Sequence, residues 1–256
     1  MKTLIFDLDG TMYRGNQVIE SAKLFLDYCR KNEIPFLFLT NNSMRTPQEN
    51  AIHMLNMGYE GIDAKHFYNS AMASVEYVAE HYSSRKAYYI GKDGMKQALL
   101  DGGFLITDED PDFVFIGLDK DADYHSYSKA LTYLLKGAKL IGTNKDWILA
   151  KPGGFEMGNG SIVAMFEYAS QQKSPDIAKP SYPILKYCLE HYGLNKEDVL
   201  LIGDNLGTDI KLGYDQGIQT VFVETGVHTR ADLEDFDVKP TYVVSNLMDL
   251  LRFDFL

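Results

Sequence analysis

Asp7-Leu8-Asp9-Gly10-Thr11 sets two carboxylates two residues apart at the end of the apolar run Leu4-Ile5-Phe6. Carboxylates held together at a strand end can bind a hard cation through oxygen, and can divide nucleophilic from acid/base work. Gly10 lets the chain turn and lets a ligand approach the backbone. Side chains alternate along a strand, so Asp7 and Asp9 point the same way if extension continues. Three further segments offer chemistry: Thr40-Asn41-Asn42-Ser43, Lys179-Pro180, and Gly203-Asp204-Asn205 with Asp209 beyond it. Taken singly, each has a plainer reading. Asp-x-Asp-Gly and Gly-Asp-Asn form turns, Thr-Asn-Asn-Ser caps helices, Lys179 is a solvated helix start, and Asp209 faces the positive end of its own helix. Their shared position is what separates them from these readings. Each follows an apolar strand or opens a helix, and a parallel sheet would bring all of them to one edge, where open α/β sheets bind ligands.

The elements needed to do this are legible. Thr3 to Phe6 reads as a buried strand. Ile19 to Asn32 is helical, with Ala22, Phe25, Leu26 and Cys29 on one face, and Ile34 to Leu39 is a second strand with Pro35 at its start. A strand–helix–strand unit of this length implies a parallel pair with a right-handed crossover. Thr46-Pro47-Gln48-Glu49 opens a helix that stops at Gly58, and a short strand, His66 to Tyr68, follows. From Lys86 the pattern restarts, with strands at 87–90, 113–117 and 139–142 and helices at 94–101, 124–136 and 161–171. Ile148 to Pro152 reads as a loop, and 171–176 as a polar linker. The first pattern resumes with a helix to about Tyr192, strands at 199–202, 219–223 and 242–244, and helices at 208–216 and 247–251. The expectation is an α/β protein: a Rossmann-like parallel-sheet core split into 1–79 and 179–256, with a smaller α/β cap domain inserted at 80–178.

Composition narrows the function. The chain has 256 residues, 45% of them hydrophobic, and a net charge of −11. That supports a sizeable core and argues against nucleic-acid binding, which needs a basic face. Two isolated cysteines, Cys29 and Cys188, are no disulfide framework and suit a reducing compartment. The chain starts on a core strand rather than a signal peptide, and no apolar run reaches membrane-spanning length, so a cytoplasmic protein is expected. The six His show no metal-ligand spacing. Trp147, beside Asp146, reads as cap packing or as a stacking surface for a substrate ring.

The four segments, in this order, resemble the ordered motifs of the haloacid dehalogenase superfamily. An insertion between the second and third resembles its type-IIA capped branch, which includes 4-nitrophenyl phosphatase-like, nucleotide and pyridoxal phosphate phosphatases. The resemblance covers essentially the whole chain. It implies a Mg²⁺-dependent phosphatase acting on a small phosphorylated metabolite through an aspartyl phosphate. Asp7 is then the nucleophile and Asp9 the general acid/base. The metal ligands are the Asp7 carboxylate, the Asp9 carbonyl and the Asp204 carboxylate. The Thr40 hydroxyl and the Asn41 N–H hold phosphoryl oxygens, and Lys179 neutralises charge. Asn205 touches a metal water, and Asp209 orients Lys179 or supports the metal's ligands. Thr143 to Asp146 and Gly158 to Ser161 are the cap segments expected to face substrate, the second also readable as a turn capping its helix through Ser161. By the same resemblance a homodimer is admissible. Met157-Gly158 and Ala178 depart from the branch's usual residues, so the resemblance names no substrate. Two rivals share the site: a phosphotransferase or phosphomutase, and a non-catalytic sensor of a phosphorylated metabolite. A response-regulator receiver does not fit, because its phosphorylated Asp ends a middle strand and it carries no such insertion.

Overall fold

The computed structural model describes residues 2–151 and 153–253. Its strands are β1 (Thr3–Phe6), β2 (Tyr13–Arg14), β3 (Gln17–Val18), β4 (Phe36–Thr40), β5 (Phe67–Asn69), β6 (Lys86–Ile90), β7 (Leu105–Ile106) and β8 (Phe113–Ile116). They continue with β9 (Lys139–Gly142), β10 (Ile148–Lys151), β11 (Gly154–Met157), β12 (Val199–Gly203), β13 (Thr220–Val223) and β14 (Tyr242–Val244). The α-helices are α1 (Glu20–Lys31), α2 (Pro47–Asn56), α3 (Ser70–His81), α4 (Asp93–Asp101), α5 (Tyr124–Leu135), α6 (Asn159–Ser170), α7 (Tyr182–Tyr192) and α8 (Lys211–Asp215). Among the described residues no helix is long and apolar enough to cross a membrane.

Contacts divide the chain into two compact units. The first is Met1–Thr40, Gln48–Tyr68 and Cys188–Leu256; the second is Asn41–Pro47 and Asn69–Tyr187. This division places α3 and the start of α7 in the second unit, where the sequence reading keeps them with the core.

The first unit is built on a six-stranded sheet in the order β14-β13-β12-β1-β4-β5. The pairings from β14 through β4 are parallel. Every residue of β4, β12 and β13 is buried, as expected of parallel strands covered on both faces. From β1 the chain builds outward through β4 and β5, then returns to build the other half through β12. The topological switch point therefore lies beside β1, the place where such sheets open a crevice at their carboxyl ends. Register brings the relevant ends level, because Phe6 pairs with both Ile202 and Phe38. The core joins Leu4 and Phe6 to Phe25 and Leu26 of α1, Phe38 of β4, Met54 of α2 and Phe67 of β5. The buried face of α1 is Ala22, Phe25, Leu26 and Cys29, the set its spacing predicts.

The second unit has its own four-stranded parallel sheet, β7-β6-β8-β9. Val114, Ile116 and Leu140 pack with Ala130 and Leu134 of α5 and with Ile162, Val163 and Phe166 of α6. The stretch read as a loop from Ile148 is instead strand β10, paired antiparallel with β11 in the register Ile148↔Met157 to Lys151↔Gly154. Pro152, the last residue of that expected loop, lies outside the described residues. No polar–apolar alternation marks Ile148-Leu149-Ala150, so the strand carries no period-two signature.

Candidate active site

The Asp7 N–H donates to the Ile202 carbonyl at 2.8 Å, so the parallel ladder runs one residue past β1 and fixes the backbone of Asp7. The chain then folds back. The Thr11 and Met12 N–H groups donate to the Leu8 carbonyl at 3.2 and 2.8 Å. Extension therefore ends at Asp7, and strand alternation does not govern Asp9. Asp7 is half-buried and Asp9 exposed.

One carboxylate oxygen from each of Asp7, Asp204 and Asp209 lies within 4.8 Å of the others. Asp204 is 1% and Asp209 5% exposed. Asp204 is held on both oxygens: Thr11 Oγ1 donates to Oδ1 at 2.9 Å and the Val227 N–H donates to Oδ2 at 2.7 Å. Gly10 (φ +94°) and Gly226 press so closely on this carboxylate that a Cβ at either would collide with it. Thr225 Oγ1 closes the turn by donating to the Gly10 carbonyl at 2.8 Å.

Asp209 reaches the cluster through local backbone geometry. The sequence expects a helix from Thr208, but a π-helical turn, Leu206–Ile210, comes first and α8 starts only at Lys211. Asn205 Oδ1 accepts from the Gly207 N–H at 2.9 Å, and the Asn205 N–H donates to Asp209 Oδ2 at 3.2 Å. Asp209 lies against Gly203, where a Cβ would have no room. Single π turns recur where a side chain must be re-aimed at a functional site. His228 stands behind this turn, its Nδ1 accepting from the Leu206 N–H at 3.1 Å. Burial lowers its pKa below the ordinary 6.5, against the opposing pull of Asp232 and Asp209. Burial and the hydrogen bond that Nδ1 accepts both favour the neutral ring.

Three close carboxylates, two of them buried and one half-buried, repel one another unless a proton or cation is shared between them, and an all-oxygen donor set suits a hard divalent ion. The residues present thus fit Mg²⁺. The Asp9 carboxylate is not in the cluster; the expectation for Asp9 concerns its carbonyl.

Thr40 ends β4 and is 3% exposed. Asn41 begins the second unit, and Lys179 belongs to that unit as well. The Asn41 amide brackets the Lys179 backbone: the Lys179 N–H donates to Oδ1 at 2.9 Å, and Nδ2 donates to the Lys179 carbonyl at 3.0 Å. Asn41 Nδ2 also lies 3.1 and 3.2 Å from the two carboxylate oxygens of Asp146. The Asn41 carbonyl accepts from Asn144 Nδ2 at 2.9 Å and Ser70 Oγ at 2.5 Å. Asn159 braces the strand ends, donating to the Ile116 carbonyl at 2.9 Å and Thr143 Oγ1 at 3.1 Å. Of the two cap segments, Thr143 to Asp146 thus joins Asn41 and Lys179. Gly158 to Ser161 backs that loop, with the Gly160 N–H donating to the Asp146 carbonyl at 2.9 Å. Ser161 does not cap α6. The N-cap is Gly158, and Ser161 Oγ donates instead to the Trp147 carbonyl at 2.7 Å. Trp147 itself is 72% exposed, so it is no packing residue within its unit.

Sequence reasoning gave no role to Thr11, to Gly226-Val227 or to the Asn41 side chain. Gly226-Val227 follows β13, another strand ending at the same edge of the sheet. Inspecting every strand end, not only those rich in carboxylates, would have found it.

A parallel α/β core whose switch point gathers three aspartates, with an inserted α/β unit, defines a hydrolase of phosphoric monoesters when set beside its relatives. Residues 4–105 match the family described as haloacid dehalogenase-like hydrolase, and residues 176–250 match a second, HAD-hydrolase-like model. The acid sugar phosphatase of Staphylococcus epidermidis is 39% identical over 246 residues, spanning 95% of this chain and 94% of the relative. A thermostable NPPase from Geobacillus stearothermophilus, solved as a double mutant, superposes with a TM-score of 0.89 at 35% identity, covering 100% of both chains. The 4-nitrophenylphosphatase of Thermotoga maritima gives 0.91 at 30% identity, over 99% of this chain and 97% of its own. NagD of E. coli gives 0.86 at 30% identity, over 96% and 97%. The chain belongs to the haloacid dehalogenase-like hydrolases, among the type-IIA enzymes.

Proposed function

We propose that this enzyme hydrolyses a small phosphomonoester, a sugar phosphate or a similar metabolite, through an aspartyl phosphate on Asp7. The observation that carries this reading is the Asp7–Asp204–Asp209 cluster at the switch point of the sheet. An Asp7 carboxylate oxygen attacks phosphorus, a P–O bond forms, and the ester P–O bond breaks. Asp9 gives its proton to the leaving oxygen; its exposure suits a group that meets both an incoming alcohol and water. Asp9 then takes a proton from the water that attacks the phosphoenzyme, and phosphate leaves. Asp7, Asp204 and Asp209, with the Asp9 carbonyl, would hold Mg²⁺, which would offset negative charge between nucleophile and phosphoryl group. Thr11 and Val227 keep Asp204 aimed at that centre. Thr40 and the Asn41 N–H are assigned to the phosphoryl oxygens, Asn205 to a metal-bound water, and Lys179 to neutralising developing charge.

The substrate class rests on likeness to the staphylococcal acid sugar phosphatases, and the second unit is assigned the role of the cap that selects it. Two buried cysteines and a net charge of −11 suit a cytoplasmic metabolic enzyme. The test is phosphate release from 4-nitrophenyl phosphate and a panel of sugar phosphates and nucleotides, with Mg²⁺ or with EDTA. Release is expected to need the metal, and Asp7→Asn to lose more than about 10³-fold in kcat. Asp9→Asn is expected to fall steeply as well. An Asp9→Asn enzyme as active as wild type would remove the acid/base assignment, and EDTA-resistant turnover would remove the metal.

A further inference from the structure

We propose that the Asn41 side chain is a positioning residue for Lys179, and that Asp146 sets its geometry from the inserted unit. This rests on the charge-neutralising role assigned to Lys179 above. The orientation of the amide is determined by chemistry. The Lys179 N–H can only donate, so the atom facing it at 2.9 Å is the amide oxygen, and the NH₂ group must then face the Lys179 carbonyl at 3.0 Å. A single planar amide thus takes up both polar groups of the lysine's own peptide backbone, which fixes the lysine's Cα and the starting direction of its side chain. Asn41 and Lys179 are 8% and 6% exposed, so water does not stand in for these bonds.

Asp146 shares the amide NH₂ group through both carboxylate oxygens. Its own backbone is fixed, the Asp146 N–H donating to Asn144 Oδ1 at 3.2 Å while Asn144 Nδ2 returns to the Asn41 carbonyl at 2.9 Å. The loop after β9 therefore grips Asn41 from two sides. A lysine meant to offset charge on a transferring group loses most of its value when displaced by an ångström. The arrangement makes the placement of that charge depend on a loop of the insertion.

Asn41→Asp tests it, since it keeps shape and acceptor but replaces the NH₂ donor with oxygen facing both the Lys179 carbonyl and the Asp146 carboxylate. We expect kcat to fall about tenfold or more with KM changed less, the folded state being verified by circular dichroism and melting temperature. Adding Asp146→Asn returns a donor to the pair, and the double variant is expected to regain at least about fivefold over Asn41→Asp alone. A purely structural role for Asn41 lowers the melting temperature and the folded fraction instead, leaving kcat per folded enzyme near wild type. An Asn41→Asp enzyme with wild-type kcat, or a double variant no better than Asn41→Asp, overturns the proposal. Lys179→Ala, assayed in parallel, separates the two readings: full activity removes the role of the lysine, whereas an inactive Lys179→Ala beside an unrescued Asn41→Asp removes only the clamp.

Discussion

Asp204 shows how much of this site is spent on holding one carboxylate still. A buried carboxylate needs its oxygens satisfied, and Thr11 and the Val227 N–H supply one donor each. Thr11 is fully buried, so its hydroxyl has no solvent substitute. Thr11→Val keeps the shape and deletes the donor. We expect the Mg²⁺ concentration needed for half-maximal phosphate release to rise about 10- to 100-fold, the usual effect of losing a partner behind a metal ligand. A Mg²⁺ titration of the variant that overlays wild type would mean that Asp204 is aimed by other contacts.

The elements determine where such residues can act. β4 delivers Thr40 to the edge of the sheet, and its Phe38 packs in an aromatic cluster. Phe38 is fully buried, 4.8 Å from Phe67 and 6.2 Å from Phe6 between ring centroids. Phe38→Ala is expected to cost about 3–5 kcal/mol and to lower the melting temperature of the first unit markedly. A change of under a degree would show that the cluster repacks without loss. The sheet itself was legible in the sequence, because a parallel strand buried on both faces is a continuous apolar run such as Phe36 to Leu39 or Val199 to Ile202. The order of those runs, with a helix between them, is enough to place Asp7, Thr40 and Asp204 at strand ends. What stayed hidden depended on geometry that apolar patterning does not encode. The π turn at Leu206–Ile210 carries no spacing signature. The β10–β11 hairpin presents Ile148, Phe155 and Met157 to solvent, so its apolar residues do not mark a buried face. The clamp on Lys179 joins residues 138 apart in the chain, which only a folded structure brings together.

At the scale of the whole molecule, two units with separate cores share one acidic chain, and two-state unfolding is not assured. Acid is the perturbation that tests the second unit, because its carboxylates are tied to named cations. Glu167 of α6 is the clearest case, its side chain 11% exposed and 2.8 Å from Lys173 Nζ. It also accepts from the Ser174 N–H at 3.0 Å and lies 3.4 Å from Lys145 Nζ, and so ties α6 to the loop after β9 and to the chain leading toward Lys179. Burial acts to raise its pKa, but Lys173, the Ser174 N–H and Lys145 outweigh burial and hold the carboxyl below its ordinary 4.5. A carboxyl depressed on folding adds stability that is fully present above its unfolded pKa and is lost as pH falls through the lower folded value. Glu167→Gln keeps an acceptor but not the charge, and at neutral pH it is expected to cost about 1–3 kcal/mol. The gap between the melting temperatures of wild type and variant should stay constant down to about pH 5 and close progressively toward pH 3. A gap that holds its width through that window would mean that Glu167 contributes by packing and neutral hydrogen bonding, and that the second unit does not draw on this charge for its stability.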